Sequence, residues 1–291
     1  MKMKALLLLS LLASSLLQAG QFDHTRVPAN AEWYLHLDLE QLRESKFGDV
    51  VIREVSKNHQ DGIAKIEGLF KLNPLEDLHD VTLFGDGKQD HAAILIKGEM
   101  DRAYLEKTIV NADDYRVKAH GDIVIHTWMD DSGTKRQNAA FYGPDLLIFS
   151  DKGNLVKLAL DTLSKTKPHL AKDENVFEGE FLHAHANIQK IALADDDGSR
   201  LVRKAEQVTI TLQEDGDRMA AQLLITPVKE KHARHLSKIL DGLLSFGMMS
   251  DERLDDFDMR TELAAADGEV SMSATLPVGQ ALAILGELAK K

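Results

Sequence analysis

Two short stretches hold the side chains best suited to chemistry. Trp33-Tyr34-Leu35-His36-Leu37-Asp38-Leu39-Glu40 alternates along its length, and Phe181-Leu182-His183-Ala184-His185-Ala186-Asn187 repeats the rhythm. Residues i and i+2 of a strand project to the same face, so His36 with Asp38, and His183 with His185, could each offer two ligands to one metal ion. If the two strands lay side by side, four nitrogen and oxygen ligands would converge, a set suited to Zn or Cu. The competing reading is structural. H-x-D and H-x-H carry no fixed spacing to further ligands, and polar residues on one sheet face can be held by local hydrogen bonds.

Other candidate chemistries have weaker signals. Asp195-Asp196-Asp197-Gly198-Ser199 is rich in oxygen ligands that suit calcium, but it lacks the EF-hand spacing and its terminal Glu, so it reads as an acidic turn. Asp130-Asp131-Ser132-Gly133 and Asp255-Asp256 read the same way. The chain holds no G-x-S-x-G elbow and no H-E-x-x-H helix. Ser150 sits between a strand and a helix, where helix capping accounts for it. Gly85-Asp86-Gly87 joins two strands, whereas a dinucleotide fingerprint joins a strand to a helix. No catalytic residue emerges, and a binding or structural role is expected over catalysis.

The elements that must position these residues follow from periodicity. After the strand over 33–39, helical spacing of Leu42, Phe47, Val50, Val51 and Val55 predicts a helix over 40–58, with Gly48 weakening its middle, and a second over 62–72. Strands over 81–84 and 92–97 form a hairpin. Asp101 is a plausible cap for a helix over 102–110. Four strands over 115–118, 123–129, 137–142 and 146–149 make a meander, and Ser150 and Asp151 cap a helix reaching Leu163. The second half opens on 181–187 and continues with helical pieces over 188–194 and 199–204. A hairpin turns at Asp215-Gly216, Thr226-Pro227 opens an amphipathic helix, a second hairpin turns at Asp267-Gly268, and Pro277 opens the last helix. Strand, helices, hairpin, helix, hairpin, helix therefore describes both halves, with an extra hairpin in the first. The expected fold is α+β, mostly antiparallel sheets with helices packed on one face, from two structurally related halves over 21–168 and 169–291.

Lys2 and Lys4, the apolar run Ala5–Leu17 and the small-residue exit Gln18-Ala19-Gly20 read as a secretory signal peptide over 1–20. The run is short against the roughly 20 residues that span a bilayer, and no later window is apolar enough to cross one. Removing Lys2 and Lys4 with the leader leaves 33 basic against 47 acidic side chains, a net charge of −14. That field repels nucleic acid and anionic lipid. With no cysteine, disulfides, a lipid-bearing N-terminal Cys and a thiol nucleophile are excluded together. The partner expected is a protein or small-molecule ligand in the periplasm or outside the cell.

Val27-Pro28-Ala29-Asn30-Ala31-Glu32 leading into the first strand, Leu78-His79-Asp80-Val81-Thr82-Leu83-Phe84-Gly85, and the closing Gly268-Glu269-Val270-Ser271-Met272-Ser273-Ala274-Thr275-Leu276-Pro277 resemble a group of uncharacterised bacterial exported proteins. The resemblance implies an exported chain folded as one unit. It brings no activity and no site residue.

Overall fold

Period-two alternation carries most of the chain into one antiparallel sheet. The computed structural model describes residues 21–172, 179–193, 202–250, 258–266 and 268–288. Residues 1–20, read above as a leader, the stretch Asp195–Ser199, Asp255-Asp256 and the first three residues (199–201) of the helical piece expected over 199–204 lie outside the described residues. In the first half the strands are β1 (Trp33–Asp38), β2 (Leu78–Gly85), β3 (Ala92–Gly98), β4 (Arg116–His120), β5 (Ile123–Met129), β6 (Arg136–Tyr142) and β7 (Leu146–Ser150). The second half has β8 (Glu180–Asn187), β9 (Ala205–Asp215), β10 (Arg218–Pro227), β11 (Arg260–Ala266) and β12 (Glu269–Pro277). They pair in the order β11-β12-β10-β9-β8-β1-β2-β3-β7-β6-β5-β4. The fold is α+β, and the two expected sheets are continuous through β1 and β8.

Seven helices lie among the described residues: α1 (Leu39–Glu44), α2 (Lys46–Asn58), α3 (Gln60–Phe70), α4 (Arg102–Val110), α5 (Gly153–Leu163), α6 (Glu230–Ser250) and α7 (Val278–Leu288). Asp38, Ser45 and Asp101 cap α1, α2 and α4, accepting from the backbone N–H of Gln41, Gly48 and Tyr104. The predicted 40–58 helix is broken at Ser45, where α1 ends and α2 begins. Gly48 is not the weak point. It lets α2 turn tightly against α1, because a Cβ there would sit 1.7 Å from the Leu42 carbonyl oxygen.

Three expectations are corrected by the backbone. Thr226 and Pro227 end β10, paired with Gln207 and Ala205 across a register shift, and α6 starts at Glu230. A proline without an N–H is tolerated at such a strand end. The cap position of α5 is Lys152, which has no side-chain cap bond, while Ser150 Oγ accepts from its N–H at 2.9 Å. The segment after Asn187 is a turn, because Ile188 N–H goes to Glu206 O instead of opening a helix.

Cross-strand partners share a face, which assigns the helices. Phe84, Leu95, Ala140 and Ile148 lie on the face of Tyr34 and His36, where they pack with Leu155, Val156, Ala159 and Leu160 of α5. The opposite face carries Val208, Leu223, Ile225 and Val270 against Ala233 and Leu236 of α6. It also carries Leu212, Met219 and Leu276 against Leu42, Val278 and Leu282. Among the described helices, α1, α6 and α7 thus share one face, and α5 packs on the other.

Strand order matches between the halves. β1-β2-β3 corresponds to β8-β9-β10; a helix follows each set; β7 and β12 return beside β3 and β10; and α5 or α7 closes the unit. The hairpin β4–β5 is the extra piece in the first half.

Candidate functional site

The two histidine-bearing strands meet at the centre of the sheet. β1 and β8 run antiparallel, with Tyr34 opposite His185 and His36 opposite His183. Two of the four candidate ligands are therefore direct partners. Asp38 lies opposite Asp80 on β2, and His185 is separated from it by the length of the pairing. Among the described residues, no three His, Asp or Glu side chains are grouped to hold a metal ion.

Each of the four has neighbours that define its environment. His36 is 2% exposed and its Nδ1 shares a hydrogen bond with Thr82 Oγ1 at 2.9 Å. His183 is 1% exposed; its Nδ1 pairs with Glu180 Oε2 at 2.9 Å and its Nε2 with Tyr34 Oη at 3.3 Å. His185 Nδ1 reaches Thr209 Oγ1 at 3.0 Å. Phe22 stacks on Tyr34 and His183 with ring centroids 5.0 and 5.1 Å apart, and Tyr34 stacks on His185 at 5.3 Å. These rings make a layered plug over the junction.

The chain around Phe22 is strapped to the sheet. Arg26 Nη1 contacts both carboxylate oxygens of the fully buried Asp80 at 3.0 Å. Val27 is buried, and its carbonyl accepts from Leu170 N at 2.7 Å. Burial pushes the Asp80 carboxyl up, opposed by Arg26. Asp38 has no such cation; burial, with the Asp80 and Glu40 charges nearby, pushes its carboxyl up to about 6 against the hydrogen bond from Gln41 N. Sequence reasoning overlooked Phe22, Arg26, Asp80, Thr82 and Glu180. Strand period could have found Asp80 and Thr82, which fall on one face of β2 with Phe84; nothing local marks Phe22 or Arg26.

On the opposite face the same junction is apolar and open. Trp33 and Leu35 of β1, Ala184 and Ala186 of β8, and Val208 and Ile210 of β9 line a groove of about 430 Å³ with Ile188 and Ile191 at one side. Ile210 is 42% exposed. The rim is a clasp between halves: Ala192 N donates to Gly87 O at 3.0 Å, and Asn187 N to Glu32 O at 2.7 Å. A Cβ on Gly87, which has φ +80°, would lie 2.1 Å from the Lys190 carbonyl oxygen, so only glycine admits this approach.

No family model and no curated protein matches the chain. Solved structures do. Crystal form III of TP0453 superposes with a TM-score of 0.52 at 10% identity, covering 92% of this chain and 99% of that one. Crystal form IV of TP0453 gives a TM-score of 0.49 at 9% identity, covering 92% and 98%. At this identity the first likeness is one of fold, and it extends over nearly the whole chain. No described helix is long and apolar enough to cross a membrane.

Proposed function

We propose that this chain is an exported binding protein that takes an apolar small molecule in the groove over the β1–β8 junction. The observation that carries the reading is the difference between the two faces of those strands. On one face His36 and His183 are buried and bonded to neighbours, and Phe22 stacks on His183, which suits a fixed joint between halves. On the other, apolar side chains stay open to solvent in a volume typical of ligand clefts. The lining is mainly apolar, and its one ammonium, Lys88, is paired with Asp86 at 3.3 Å, which favours an uncharged ligand.

Titration of the purified protein with the neutral fluorophore N-phenyl-1-naphthylamine tests this. Saturable one-site binding is expected, weakened tenfold or more, about 1.4 kcal/mol, in Ile210→Glu, whose exposed position leaves the melting temperature nearly unchanged. A probe that fails to saturate, or binds the variant equally well, overturns the reading. Export is tested by fractionating cells that make the full-length chain: a periplasmic product beginning near Gln21 supports it, and a cytoplasmic product beginning at Met1 refutes it.

A further inference from the structure

The face that α5 covers in the first half is finished differently in the second. No described helix packs on it across β9, β10, β12 and β11, since α6 and α7 both lie on the other side. Most of its side chains are polar. Starting from His183, successive cross-strand partners are Thr211, Gln222, Ser273 and Glu262, one from each of four strands. The next row reads Thr209, Leu224, Ser271 and Ala264. Together they floor a groove of about 300 Å³. Thr209 and Thr211 are 9% and 5% exposed, while Gln222, Ser271 and Glu262 are exposed.

We propose that this groove is a carbohydrate site for neutral or amino sugars. Hydroxyl and amide groups both donate and accept, as sugar hydroxyls do, and they make up the polar floor apart from one carboxylate. That carboxylate, Glu262, accepts from hydroxyls or from an ammonium group at the open end. Leu224 and Ala264 lie between the polar positions and give a small apolar platform for the C–H face of a ring. None of the described residues lining the groove is a lysine or arginine. With a formal net charge of −12 on the whole chain, phosphorylated, sulfated and acidic sugars meet repulsion with no cation to offset it. Neighbouring members of a row sit one strand apart, about 4.8 Å, which lets one ring meet two strands at once, so an oligosaccharide would lie across β9, β10 and β12. This site is on the opposite sheet face from the apolar groove and does not depend on it.

The test is calorimetric titration of the full-length mature protein with maltotriose, N-acetylchitotriose, chitosan trimer and, as the acidic control, galacturonic acid trimer. At least one of the first three is expected to saturate in the millimolar range or below, and the acidic trimer is not. Gln222→Ala and Glu262→Gln, both at exposed positions, are expected to weaken that binding about tenfold or more. Their melting temperatures and binding of N-phenyl-1-naphthylamine should stay as in the parent. Failure of all three sugars to bind, binding unchanged in both variants, or preference for the acidic trimer would each overturn the proposal.

Discussion

At the scale of single residues, Asp38 shows how a sheet position and a helix cap compete. Its carboxylate caps α1, which favours the charged form, yet it is 2% exposed and faces Asp80, which favours the neutral one. The balance raises its carboxyl to about 6 from an ordinary 3.8. A raised folded-state value means the native chain holds this proton more tightly than the unfolded chain. The contribution is full below the ordinary value and is lost as pH climbs from there through about 6, amounting to on the order of 2–3 kcal/mol. Asp23, Asp86, Asp130 and Asp258 have lowered values and act in the opposite direction, so the informative quantity is a difference. Asp38→Asn keeps a cap acceptor and removes the charge. Urea unfolding at pH 4 and pH 7.5 should show the variant gaining on the parent as pH rises; parallel curves would show that Asp38 is ionised at no cost. This residue was legible in the sequence as a same-face partner of His36. Its actual partners, Asp80 and a backbone N–H, were not, because i and i+2 spacing fixes a face but says nothing of which strand lies alongside.

Elements show where local rules give way to packing. α5 was readable from its apolar spacing and contributes Leu155, Val156, Ala159 and Leu160 to the core over β3, β7 and β6. Leu160→Ala should cost about 2–5 kcal/mol by leaving a cavity in a closed site, measured as a fall in the urea midpoint with an unchanged slope. An effect below 1 kcal/mol would mean that α5 rests loosely on the sheet. The clasp between Gly87 and Lys190 is a different kind of element, joining turns from the two halves. Gly87→Ala meets both a positive φ and a carbonyl oxygen, so it should destabilise by roughly 1–3 kcal/mol. Because the clasp rims the apolar groove, the same variant should bind N-phenyl-1-naphthylamine more weakly under conditions where it remains folded. The sequence marked Gly85-Asp86-Gly87 as the join between two strands of a hairpin. It could not mark the approach of Lys190, which belongs to a turn about a hundred residues later that periodicity had assigned to a helix.

For the whole molecule, the decisive feature is that a matching order of strands and helices closes on itself through like elements. The similar rhythm of β1 and β8 is legible in the sequence, whereas the pairing of those strands with each other required the full topology. We infer that the halves over 21–168 and 169–291 fold as one cooperative unit. Separating them would uncover the edges of β1 and β8 and strip His36, His183 and Tyr34 of their burial, and buried polar groups left without partners cost about 1–3 kcal/mol each. The strap adds a further tie, since Val27 bonds to Leu170 across the boundary. Two chains covering 21–168 and 169–291, expressed separately, should each lack a sharp unfolding transition. Mixed, they should recover one transition and the upfield-shifted ring resonances expected from Phe22 stacked on His183. Replacing Phe22 with Ala should weaken that reassociation while leaving the strands' hydrogen bonds intact. If either half alone unfolds cooperatively at a temperature close to that of the intact chain, the junction is an interface between independent domains and the histidines there serve another purpose.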